Sequence, residues 1–358
     1  MSTLRGATLA LAALAALGAS VPARAETSSW IMESTEVPKS RPGRPIKVAP
    51  DEKFTRPPAA KPPMKGPAGD LSKYLAEPTG DDAAYIAFDQ GQYLTAAKLA
   101  LEAAKRGDPQ AHTLLGRLYQ DGLGVSKDPQ TAIKWYTKGD ELGDIQSSFA
   151  LGLLYAEGTV TKKDRAKAAE LFEKAARTGH SLANYNLGLL FLKGDGKPQN
   201  PYRAAMHIRY AAEKGIAVAQ YDLAGLYQNG EGVEPNALET AKWLSKAAEQ
   251  GMPEAQFDYA ILLLRGLGLT KDEPKAIPYL RSAAQKGLAS AQNRLAYVYS
   301  EGVGVKKSPQ EAAKWRLIAQ AGGLKDETLD ELVTKLPKAQ QLAAHQAATE
   351  WREKAGLF

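Results

Sequence analysis

A glycine returns every 36 residues along most of this chain: Gly107, Gly143, Gly179, Gly215, Gly251, Gly287 and Gly323. Two further columns keep phase with it. One reads Gly116, Gly152, Gly188, Ala224, Ala260 and Ala296; the other reads Gly122, Gly158, Gly194, Gly230, Gly266 and Gly302. Six units follow one another without insertion or deletion. A fixed period of this size is the mark of a repeat array, in which each unit buries its apolar face only against its neighbours.

The unit from Ile216 to Gly251 shows what repeats. Ala219, Leu223 and Tyr227 stand at helical spacing, with Leu226 beside them, so the unit opens on an amphipathic helix. Gly230-Glu231-Gly232 stops that helix, because glycine readily takes the left-handed conformation beyond a helix end. The next column, Asp128, Asp164, Asn200, Asn236, Asp272 and Ser308, contains only favoured N-cap residues. Pro129, Pro201 and Pro309 follow at the first helical position, where a missing N–H costs nothing. Asn236 with Glu239, and Ser308 with Glu311, have the spacing of a capping box. The second helix is filled by small residues, Ala132, Ala168, Ala204, Ala276 and Ala312 in one column and Ala175, Ala211, Ala247, Ala283 and Ala319 in another. Each period therefore codes helix, loop, helix, turn.

The run Ala219-Gln220-Tyr221-Asp222-Leu223, Tyr227-x-x-Gly230-x-Gly232-Val233, Ala241-Lys242-Trp243-Leu244-x-Lys246-Ala247-Ala248-x-x-Gly251 resembles the Sel-one-like repeat (SLR), a relative of the tetratricopeptide repeat. The resemblance implies an all-α, right-handed α-solenoid of 36-residue helix-turn-helix repeats. Two units depart from the pattern. Gly158-Thr159-Val160 replaces Gly-x-Gly-Val, and Lys197 stands where the family has an apolar residue. Both changes fall in loops.

The ends of the chain break the period. Residues 1–25 read as a secretory signal: Arg5, an Ala/Leu-rich run from Ala7 to Ala19, and Ala23-Arg24-Ala25 as a small-x-small cleavage site. The alternative is an uncut signal anchor. Localisation is therefore expected in the periplasm or outside the cell. Residues 26–80 are proline-rich and basic, without apolar period, and read as a disordered linker. It is either passive or a tether touching acidic envelope polymers. Residues 81–108 form a degenerate first pair, 109–323 the six repeats, and 324–358 capping helices. In the last of these Ala344, Ala347, Ala348 and Trp351 share one face. That face either covers the last repeat or docks a partner helix.

Chemistry is sparse. There is no cysteine, which excludes disulfides and thiolate ligands. The net charge of +6 is spread among both signs rather than concentrated as in a nucleic-acid binder. None of His112, His180, His207 and His345 has metal-ligand spacing to another ligand residue. His207 belongs to the bulky column Trp135, Leu171, Trp243, Tyr279, Trp315 and is expected to pack; His112 is expected at the polar surface. Asp222 and Asp258 recur in one column, which reads as a solvated or hydrogen-bonding surface rather than a glycosidase pair. No catalytic residue, metal or cofactor is expected, and no membrane insertion once the signal is removed.

What remains is a surface. In tetratricopeptide-like solenoids the first helices line the concave face. One of their columns carries Phe149, Tyr185, Tyr221 and Phe257; another carries Leu153, Leu189, Gly225, Ile261 and Tyr297. The first column either lines the groove or packs on the adjacent helix. The second varies in size and polarity, as a specificity column would. The expected function is a non-enzymatic scaffold or adaptor holding a protein or peptide in this groove. The alternative is a cell-wall glycan-binding protein or wall enzyme.

Overall fold

The computed structural model describes residues 82–356. The expected signal and linker lie outside the described residues. Sixteen helices and no strand occur among the described residues. A short pair comes first, α1 (Ala83–Asp89) and α2 (Tyr93–Lys105). Six regular pairs follow: α3 (Pro109–Asp121) with α4 (Pro129–Glu141), α5 (Ile145–Glu157) with α6 (Arg165–Arg177), and α7 (Ser181–Lys193) with α8 (Pro201–Glu213). Then come α9 (Ala217–Asn229) with α10 (Ala237–Glu249), α11 (Pro253–Arg265) with α12 (Glu273–Gln285), and α13 (Ala289–Glu301) with α14 (Pro309–Ala321). The chain ends in α15 (Glu327–Lys335) and α16 (Lys338–Ala355). Each of the twelve helices α3–α14 has 13 residues, so every repeat presents the same length of helix to the next. From α1 to α15 each helix packs on the next, and α16 returns to pack on α14, giving an all-α solenoid.

The capping column works in all six repeats. Asp128, Asp164, Asn200, Asn236, Asp272 and Ser308 each accept an N–H of the first turn of the second helix. The capping boxes do not close. Glu239 turns to Lys242 Nζ at 2.8 Å and Trp243 Nε1 at 3.0 Å, and Glu311 to Lys314. The reason is a competing bond. The N–H of every cap residue donates back to a carbonyl near the end of the first helix: Tyr119, Tyr155, Phe191, Tyr227, Leu263 and Tyr299, at 2.8–3.0 Å. This staple ties the two helices together across the loop and leaves the glutamate nothing to cap.

The glycine and alanine columns encode close approach between paired helices. A Cβ built on Gly152 would lie 2.7 Å from the Phe172 ring, and on Gly116 2.4 Å from the Tyr136 ring. Gly188 likewise faces Ile208. Alanine takes over in this column at 224, 260 and 296, in the repeats where the facing column carries Leu244, Leu280 and Arg316. The first helix thus gives up its Cβ where the facing residue carries a ring or a branched Cβ. The second loop glycine serves contact between repeats. Gly232 has φ +71°, and a Cβ there would sit 2.0 Å from the Pro201 carbonyl oxygen of the preceding second helix. Val160 occupies this position in the second repeat, where its carbonyl accepts Gln130 Nε2 at 2.7 Å. Lys197, the other departure, bonds Glu173 at 3.0 Å.

At the C-terminal end one column changes character. Tyr136, Phe172, Ile208, Leu244 and Leu280 are buried apolar residues, and the sixth member is Arg316, fully buried. Its guanidinium donates to both Asp330 oxygens at 2.6 and 2.9 Å, to Asn293 Oδ1 at 3.0 Å and to the Leu324 carbonyl at 3.0 Å. This fork fastens α15 to the last repeat. Helix α16 packs on α14, with Ala344 and Ala348 buried and Trp351 edge-on to Trp315 at 5.7 Å.

Candidate docking face

On each first helix the exposed side is one stripe, and α9 shows it best: Val218, Tyr221, Asp222 and Gly225 are partly exposed and Gln228 and Asn229 are exposed. The sequence-predicted site residues divide along the solenoid. Phe149, Leu153 and Tyr185 are buried, Tyr185 completely. Leu189, Tyr221, Phe257, Ile261 and Tyr297 are half-buried and reach the surface.

The aromatic column does structural work as well. Tyr185 donates its hydroxyl to Asp222 Oδ2 at 2.6 Å, and Tyr221 to Asp258 Oδ2 at 2.8 Å. Each bond runs from one repeat's first helix to the next, 37 residues on. Tyr297 and Asn293 continue the pattern into the end of the chain, both donating to Asp326, which also caps α15. At the other end Thr113 donates to Asp144, the cap of α5. One rung is missing. Asn186 stands where Asp222 and Asp258 stand, but its donor position holds Phe149, which has no hydroxyl. Both polar atoms of the Asn186 side chain are buried without a hydrogen bond.

The histidines are structural. His112 is not at the surface as expected; it is buried, with Nδ1 2.7 Å from the Asp108 carbonyl and its ring edge-on to Trp135. The bulky second-helix column makes the pocket that takes it. His207 is half-buried, stacked on Phe191 and bonded to Asn184 Oδ1 at 2.9 Å; burial holds its pKa down. His180 was not foreseen as a cap, yet its Nδ1 accepts the Ala183 N–H at the start of α7. The only available signal was its place in the column of Asp108 and Asp144.

The electrostatics of the face are uneven. Asp258 has one partner, the Tyr221 hydroxyl, and no cation among the described residues. Burial raises its pKa; the Tyr221 bond opposes this and nearby Glu254 adds to it. Tyr221 is pushed up in turn by burial and by Asp258. One repeat further on, the same column carries Arg294. Its pKa is held down by burial and by Arg265, with Tyr297, Glu301 and Asp326 acting the other way. No group of three or more metal-ligating side chains occurs among the described residues.

The Sel1 repeat model matches this chain six times in succession, over residues 109–144, 145–180, 181–216, 217–252, 253–288 and 289–316. The chain belongs to the Sel1-repeat family. A Sel1 repeat protein from Oxalobacter formigenes is 30% identical, with a TM-score of 0.59, over 70% of this chain and 99% of that one. The protein c5321, a protective antigen present in uropathogenic Escherichia coli strains and displaying an SLR fold, is 26% identical, with a TM-score of 0.51, over 79% of this chain and 71% of its own. Comparison with curated proteins returns no match. Sel1-repeat proteins generally act as non-catalytic scaffolds for protein–protein interaction. Among the described residues no helix is long and apolar enough to cross a membrane.

Proposed function

We propose that this Sel1-repeat chain works outside the cytoplasm as a scaffold or adaptor, holding a protein or peptide partner against the exposed face of its first helices. The observation that carries the reading is the contrast between columns. Positions 132, 168, 204, 276 and 312 are alanine and completely buried, and Thr240, the remaining member of that column, is buried too. The column Leu153, Leu189, Gly225, Ile261, Tyr297 ranges from leucine to glycine to tyrosine, and from Leu189 onward it is partly exposed. A side chain enclosed on all sides changes only with its packing neighbours, whereas a partly exposed one is free to change with a partner. Half-buried Phe257, Ile261 and Tyr297 supply anchors with few rotamers to freeze, which suits a polypeptide ligand. The basic residue, Ala/Leu-rich run and small-x-small site in residues 1–25 support export.

The test is a photo-crosslinking residue at Ile261 in the protein expressed in living cells, with a control at exposed Lys242 on α10. A discrete protein adduct at Ile261 and none at Lys242 is the expected outcome. Glycan fragments at Ile261 without any protein adduct would replace the adaptor reading with wall binding.

A further inference from the structure

Two half-buried charges on the docking face stand without a counter-charge among the described residues. Ionised groups removed from water ordinarily have an opposite charge or a full set of hydrogen bonds. Arg316 has its carboxylate, and Lys174 has Asp140 at 2.6 Å. Half-buried Asp258 on α11 has only a tyrosine hydroxyl, and the nearest charge acting on it is Glu254, of the same sign. Half-buried Arg294 on α13 makes no ion pair among the described residues. Its closest ring contact is Tyr297 at 5.9 Å, and Arg265 of the same sign bears on it. Glu301 and Asp326 also bear on Arg294, but Asp326 is already engaged by Asn293, Tyr297 and the Leu329 N–H.

Asp258 and Arg294 occupy the same column in consecutive repeats, 36 residues apart. They stand beside Phe257, Ile261 and Tyr297, the apolar part of the same face. An acid and a base, each partly desolvated and each lacking its counter-charge, lower stability where they are. A fold keeps such groups where something else completes them.

We propose that the α11–α13 part of the docking face receives a partner segment carrying both charges, a Lys or Arg side chain on Asp258 and Glu254 and a carboxylate on Arg294, separated by one repeat and flanking an apolar anchor on Ile261. This rests on the docking-face reading and names the chemistry of what docks. It excludes a uniformly basic or uniformly acidic partner, because each would set a like charge against one of the two groups. It also fixes direction. The order of charge along the partner decides which way the segment lies across the repeats.

The probe is a set of synthetic peptides with a central Leu flanked by one Lys and one Glu. The charges are four residues apart for an extended segment, so that both and the central Leu share one face, or seven for a helical one, spanning roughly 10–14 Å. Each peptide is made in both orders and with Lys–Lys and Glu–Glu counterparts. The full chain should bind a mixed-charge peptide at least about tenfold more tightly than the like-charged pair, with one order preferred. Asp258→Asn and Arg294→Gln should each remove that preference while raising the urea midpoint, because each deletes an uncompensated charge. The double variant Asp258→Arg with Arg294→Asp should prefer the opposite order. Equal affinity for mixed and like-charged peptides, or no binding to any peptide, overturns the proposal. Weakened binding of all peptides by Ile261→Asp, with no effect of the charge variants, would keep the docking face and discard its charge code. If Ile261→Asp also changes nothing, both readings fall together.

Discussion

Replacing Phe149 by tyrosine adds one hydroxyl at the missing rung of the ladder. Tyr185 and Tyr221 show where it should go, since both reach a carboxyl oxygen 37 residues on. The corresponding acceptor is Asn186, whose side chain is buried with neither polar atom bonded. The Phe149 ring lies 4.5 Å from His180 and 5.8 Å from Phe172 and retains 8% exposure, so its position is already fixed and little side-chain entropy is added. A net hydrogen bond contributes about 1 kcal/mol, and satisfying a group that was desolvated without a partner can add as much again. We expect Phe149→Tyr to stabilise by about 1 kcal/mol, the lower figure because the new hydroxyl must itself leave water. With ordinary unfolding entropies, that moves the melting temperature by about 2 °C if the whole solenoid unfolds at once. It moves by about 4 °C if only the three repeats around the site (roughly 110 residues) unfold together.

Amide exchange separates these cases, since protection in α5 and α7 should rise about fivefold while distant repeats stay unchanged. The decisive control is the same substitution in an Asn186→Ala background, where the gain should vanish. A Phe149→Tyr chain no more stable than the parent, or a gain equally large without Asn186, would refute the ladder as an energetic unit.

Three further outcomes follow from the same contacts. Asp258 has a raised pKa, so the folded chain binds its proton more tightly than the unfolded one; stability is lost as pH rises from the unfolded value of about 3.9 through the folded one, and Asp258→Asn should match the parent at pH 3 but exceed it at pH 7 in urea titrations. Asp330→Ala strands the buried Arg316 guanidinium and should cost about 2–3 kcal/mol, below the full value for a buried pair because Asp330 is 37% exposed, whereas Arg316→Leu, which restores the residue type of Leu244 and Leu280, should cost less; exchange in α15 and α16 reads both. Gly152→Ala drives a Cβ into the Phe172 ring and should destabilise by about 1–3 kcal/mol, and adding Phe172→Leu should recover most of the loss in thermal melts.

The pattern of helices was legible because the period repeats every cue: caps, stops and small residues in register. The short first pair was legible too, from Gly91 and the register of Ala96 and Ala103. The capping boxes were not, because their spacing in sequence is silent about the backbone staple that takes the cap residue's N–H. His112 was misplaced for a similar reason. Its column carries polar residues, and only the packed Trp135 shows that a polar ring can be enclosed there.

Which members of the candidate docking columns reach the surface was only partly legible in the sequence. A column in a solenoid carries two signals at once, the constancy needed to stack and the variation needed to bind. Phe149, Tyr185, Tyr221 and Phe257 look alike in sequence, yet Tyr185 is enclosed and Phe257 reaches the surface. What changes along the stack is the column beside them. Ala150, Asn186, Asp222, Asp258 and Arg294 run from apolar to amide to acid to base. Tyr185 and Tyr221 each donate to an acid of that series one repeat on, so they are tied to the stack. Phe257 has no hydroxyl to give and stands beside Asp258, whose charge meets no cation among the described residues. In a chain of near-identical units, the positions where a column changes chemistry are therefore the ones to interrogate. Arg316 closes the stack with such a change, and Asp258 and Arg294, through theirs, leave it open to a partner.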